Sequence, residues 1–122
     1  MAGKGRERPS NATEGIHMST DKMPSHYESL RSRFPKAMTA LEELGGSIRG
    51  EGPLDLKTSH LIQLAAAAVI QSEGGVHSHT RRAIDAGASS GEIYHALMLL
   101  VSPVGFPRVA AAISWADDVI EE

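Results

Sequence analysis

LDLKTSHLIQLAAAAVIQSEGGVHSHTRRAIDAG, residues 54 to 87, carries two helical patterns and the punctuation between them. Asp55 is a good N-cap for a helix reaching about Gln71. That helix is apolar almost all round (Leu56, Leu61, Ile62, Leu64, Ala65 to Ala68, Val69, Ile70), as expected of a central buried helix. Its four alanines let neighbouring helices approach closely. Ser72 is placed to cap the next helix, which turns Val76, Thr80, Ala83 and Ile84 inward and stops at Gly87, a C′ glycine.

The same punctuation continues on both sides. Downstream, Ser89-x-x-Glu92 is a capping box opening a helix through about Val101. Pro103, Gly105 and Pro107 then break the chain, and a last helix runs from about Arg108 to Ile120. Upstream, Ser25 and Glu28 form another capping box, for a short helix to about Arg33. Pro35 suits a first helical position, and Ala37, Met38, Leu41 and Leu44 make an apolar stripe ended by Gly45-Gly46. No strand alternation and no Asn-Gly or Asp-Gly hairpin turn occurs. The fold class is all-α, a bundle of about six helices.

Composition bounds the function. A chain of 122 residues makes one thin core, so self-association is expected. The net charge of -3 argues against a nucleic-acid partner, which needs a basic stripe. With no cysteine there is no thiolate nucleophile, thiolate ligand or dithiol couple. The apolar run Leu61 to Ile70 is too short to span a bilayer, and no secretory signal is evident, so no membrane role and a cytoplasmic location are expected. Residues 1–22 are polar, aperiodic and rich in glycine and charge, and are read as a disordered tail before a domain at 23–122. Met1, Met18 and Met23 all stand as starts.

LDLKTSHLIQLAAAAV, the turn into HTRRAIDAGASSGEI, and ALMLLVSPVGFP together resemble the carboxymuconolactone decarboxylase family, which includes the alkylhydroperoxidase D-like proteins. The resemblance covers the C-terminal half and implies an all-helical, alkylhydroperoxidase D-like fold assembled as a trimer or hexamer. In the family's peroxidase branch a glutamate, a C-x-x-C pair and a histidine do the chemistry. Those positions fall here on His60, Ser72, Gly75 and His79, so only the histidine is kept. Serine and glycine cannot attack a peroxide and resolve a sulfenic acid, so thiol peroxidase activity is not expected. The decarboxylase branch works without cysteine and is the nearer mechanistic model, which suggests a lyase.

On this reading His79, on the inward face of its helix, is the first candidate catalytic residue, with His60 as partner; histidine titrates near neutrality and suits proton transfer. A core or boundary role for either ring is the plainer alternative. His77 lies about 200 degrees around the helix from His79. It shares a face with Glu73, so it is expected to bond Glu73 or a neighbouring subunit and to support the site with Ser72. Gly74 and Gly75 cost about 1 kcal/mol each inside a helix. They mark a tight junction, or backbone N–H groups on which a carboxylate docks, and Arg82 is the candidate clamp for that anion, or else a solvated or intersubunit charge. His95 is expected to be packed or at an interface; Glu42, Glu43, Asp117, Asp118, Glu121 and Glu122 read as solvent-facing charge.

The first expectation is therefore acid/base chemistry on a small, anionic carboxylate or lactone without a cofactor or metal. The alternatives are a non-catalytic ligand-binding protein on the same scaffold and a metal site made by His60, His79 and a carboxylate.

Overall fold

The computed structural model describes residues 25–122, and among these all regular structure is helical. The expected tail at 1–22, the alternative starts and the Ser25 side chain lie outside the described residues. The helices are α1 (Ser25–Arg33), α2 (Pro35–Gly50), α3 (Leu56–Val69), α4 (Glu73–Asp85), α5 (Ser90–Met98), α6 (Val101–Val104) and α7 (Phe106–Ile120). The count exceeds the expected six because a single turn, α6, forms in the Pro103 break. The chain divides into two compact units, with the boundary between Pro53 and Leu54.

In the first unit α1 packs on α2. Tyr27 and Arg31 both donate to the Glu42 carboxylate. Glu42 is therefore not the solvent-facing charge expected; its side chain is only 17% exposed. Burial and the neighbouring carboxylate both push the Tyr27 phenol above its ordinary pKa. Gly45-Gly46 does not end α2, which continues to Gly50. A glycine stops a helix by turning to positive φ, and in this structure only Gly87 and Gly105 do so among the described glycines.

In the second unit the caps fall where the sequence places them. Asp55 accepts from the Thr58 N–H, Ser72 from Gly75, and Ser89 and Glu92 complete a reciprocal capping box. The Ser89 N–H and Lys57 hold the Glu92 carboxyl below its usual range. α4 ends at Gly87 (φ 103°), where Ala88 N–H donates to Ala83 and Gly87 N–H to Ile84. α3 ends in the same double bond, Ser72 N–H to Ala67 and Gln71 N–H to Ala68, but with Gln71 in the left-handed conformation (φ 59°). α3 therefore stops two residues short of the expected Gln71. α7 starts at Phe106 rather than Arg108, because Pro107 fits a first helical turn, where its missing N–H goes unused.

The tight turn makes α3 and α4 an antiparallel pair. α4 also packs on α7, and α5 on both α3 and α7. Leu64, Val76, Ala83, Ile93, Leu97, Ala112 and Ala116 are fully buried among them. Val76, Thr80 and Ala83 point inward as expected, but Ile84 is 39% exposed. Nor is α3 buried all round: Leu56, Ile62 and Ile70 are 53%, 52% and 74% exposed. Its continuous apolar pattern covers one face in this core and leaves another uncovered.

The two glycines of α4 differ. A Cβ on Gly75 would stand 2.8 Å from Ser72 Oγ and 3.0 Å from Ala67 Cβ, whereas one on Gly74 would meet nothing within 4 Å. Gly74→Ala is expected to stabilise the protein by about 0.5–1 kcal/mol, the ordinary gain of alanine inside a helix. Gly75→Ala is expected to destabilise it, because the cap or the α3–α4 contact must move. Chemical denaturation of the two variants checks this, and a stabilised Gly75→Ala would refute the close-approach reading.

Candidate functional site

The pairing of α3 with α4 brings His60 and His79 together. Their Nδ1 atoms lie 3.2 Å apart, and the ring planes are inclined by 33° at a centroid separation of 5.4 Å. His60 is buried, at 4% exposure, and not the half-exposed boundary residue its place before an apolar run suggests. His79 is half-buried and is thus the ring with more access to solvent.

An Nδ1–Nδ1 contact at hydrogen-bond distance holds one proton between the rings. In a neutral pair one ring donates from Nδ1 and keeps an acceptor Nε2, while the other accepts at Nδ1 and carries its proton on Nε2. The neutral pair thus presents one base and one acid; with one extra proton, both Nε2 atoms carry hydrogen and moving the shared proton exchanges which ring is the cation. Two imidazolium rings would set N–H against N–H, so the contact holds at most one extra proton.

The remaining candidates are distributed around α4. His77 points away from His79, and its Nε2 donates to Asp118 Oδ2 on α7 at 2.9 Å, with Glu73 Oε2 at 4.0 Å. The main partner is therefore Asp118, which sequence alone reads as solvent-facing. The Ser72 hydroxyl takes the Gly75 N–H (3.0 Å), so that N–H is not a donor on which a carboxylate docks, contrary to expectation. Gly74 is exposed at the start of α4, and Arg82 is half-buried three residues beyond His79. His95 is exposed, not packed.

Sequence reasoning missed the partners on α7 and at the C-terminal residues that follow it. Arg81 Nη2 bonds Glu122 Oε2 at 3.0 Å, one turn beyond the His77–Asp118 contact. The two contacts advance by four residues along α4 and along the chain at and just beyond the end of α7, so the two segments run in the same direction. Tyr94 Oη donates to Asp117 Oδ1 at 2.5 Å, and that carboxylate is the first cause raising the phenol's pKa. The matching four-residue spacings, 73–77–81 on α4 and 118–122 at the end of α7 and just beyond it, were the available signal.

The second unit is thus all-helical, built on a capped antiparallel helix pair with one histidine from each helix in contact. The carboxymuconolactone decarboxylase family model matches residues 35–118, and the chain belongs to that family. A carboxymuconolactone decarboxylase family protein from Legionella pneumophila, crystallised in its apo form, is similar at 26% identity and a TM-score of 0.70, covering 80% of this chain and 87% of its own. A protein from Burkholderia xenovorans LB400, assigned as a carboxymuconolactone decarboxylase, shares the fold at 23% identity and a TM-score of 0.66, over 82% of this chain and 81% of its own. No curated protein sequence matches significantly. With no cysteine, the chain is a member without the C-x-x-C pair. Among the described residues no helix is long and apolar enough to cross a membrane.

Proposed function

We propose that the His60–His79 pair is a proton-transfer site acting on a small anionic carboxylate or lactone in a decarboxylation or related lyase or isomerase step. The single observation behind this reading is the 3.2 Å Nδ1–Nδ1 contact, which makes the pair both acid and base. His79, the less buried ring, exchanges the proton with the substrate; His60 fixes its tautomer and stores the complementary proton. In a decarboxylation the C–C bond to the carboxylate breaks, CO2 leaves, and the bonding pair stays on carbon. That carbon takes the proton from His79 Nε2, and the pair is reprotonated from water. Arg82 and the start of α4 at Gly74 supply positive potential for the carboxylate.

The protein is read as cytoplasmic and self-associating, as a trimer or hexamer. The exposed apolar side chains of α2 (Leu41, Leu44, Ile48) and of α3 support self-association. The net charge of -3 gives no support to a nucleic-acid partner.

The test is exchange. Unsaturated lactone carboxylates and 3-oxo acids are incubated with the protein in deuterium oxide and followed by proton NMR. Enzyme-dependent deuterium incorporation at carbon, or CO2 release, is expected for at least one of them. Ligand-induced thermal stabilisation with no exchange would make the protein a non-catalytic binder and overturn the proposal.

A further inference from the structure

A second chemical cluster lies on the side of α4 turned away from the histidine pair. Glu73 and His77 stand one turn apart on α4, and Asp118 reaches them from α7. One ligand-competent atom from each, the two carboxylate oxygens and His77 Nε2, lies within 4.8 Å of both others.

We propose that Glu73, His77 and Asp118 bind a divalent transition-metal ion with the ligand preferences of zinc. An imidazole nitrogen with two carboxylate oxygens is a donor set that suits such an ion, and bonds of about 2.0–2.2 Å place neighbouring donors about 3–3.5 Å apart. His77 Nε2 is already 2.9 Å from Asp118 Oδ2 and 4.0 Å from Glu73 Oε2. Shifts of about an ångström close the set, and the ligands that must move are the mobile ones. The carboxylate side chains are each 58% exposed, whereas His77 is 24% exposed and held between the helices. Water completes the coordination.

Electrostatics point the same way. Two carboxylates converge on one imidazole, so the cluster keeps at least one negative charge even when His77 is protonated. A divalent ion with neutral His77 brings it to zero. Arg81, the cation one turn further along α4, is engaged by Glu122 instead. On binding, the ion takes the place of the Nε2 proton now donated to Asp118; in a neutral His77 that single proton moves to Nδ1 by exchange with water, so the ring stays neutral and no net proton is released. The ion then ties the start of α4, the helix that carries His79, to the end of α7.

Calorimetric titration of the full chain with zinc chloride, with thermal unfolding alongside, tests this. One equivalent per chain and a thermal midpoint that rises with zinc are expected. His77→Ala is expected to abolish both effects. Glu73→Gln and Asp118→Asn should each weaken binding about tenfold or more; Asp118→Asn still offers His77 a carbonyl acceptor, so its fold is retained. His79→Ala should bind zinc as the unsubstituted protein does. Absence of binding, binding that survives His77→Ala, or binding lost in His79→Ala would each overturn the site.

Discussion

His79→Ala is expected to slow substrate-carbon proton exchange by about 10²- to 10⁴-fold, the usual worth of a positioned general acid or base. That is about 3–5 kcal/mol of transition-state stabilisation. The helical content should not change, because His79 is half-buried and its removal takes away little packing. His60→Gln isolates the partner's role. Glutamine can still hydrogen-bond to His79 but cannot pass a proton through two ring nitrogens. If His60 positions and poises His79, this variant loses part of the rate, and its pH–rate profile moves while the profile's shape survives. If His60 is only a packed core residue, the thermal midpoint falls and the pH profile stays where it was. Full exchange activity in His79→Ala would remove the basis of the proposed chemistry.

The meeting of the two histidines was only half legible in the sequence. The helical periods of α3 and α4, the caps Asp55 and Ser72, and the stop at Gly87 are local signals: the caps are side chains bonding to nearby backbone, and the stop is a glycine at positive φ. They place His60 and His79 on neighbouring helices, but the register of those helices is a packing outcome. It is set by the close approach at Ala67 and Gly75 and by a turn with Gln71 in a conformation that favours glycine. No local rule predicts glutamine there, and this is why Gly75 was open to reading as an anion-docking donor when it is a point of contact. The same difference separates the two halves of the His77 expectation. Its divergence from His79 follows from helical geometry alone, whereas its partner Asp118 comes from α7, 41 residues away. The continued helix through Gly45-Gly46 shows the opposite error. The glycine pair is a local stop signal, but neither backbone turns to positive φ and the helix runs on.

Leu64 and Ile62 separate what α3 does for the fold from what it offers outside. Both are large aliphatic residues on one helix, two positions apart, and hydropathy does not distinguish them. Leu64 is 0% exposed, amid Val76, Ile93 and Leu97, while Ile62 is 52% exposed. Leu64→Ala deletes three buried carbons from a core whose other members are largely alanines, and small rigid neighbours collapse poorly into a void. A loss of about 2–5 kcal/mol is expected, the same at every protein concentration, since the cavity lies within one chain. Ile62→Ser removes apolar surface outside the core of its own unit, so its cost to that unit should be within about 0.5 kcal/mol. If α3 carries part of a self-association surface, as proposed, Ile62→Ser lowers the sedimentation-derived mass at micromolar concentration and makes the thermal midpoint more dependent on concentration. Denaturation of both variants at two concentrations, with sedimentation velocity, decides it. A large, concentration-independent loss in Ile62→Ser would mean that this face is buried within the chain. A small loss with unchanged sedimentation would take α3 out of the association surface.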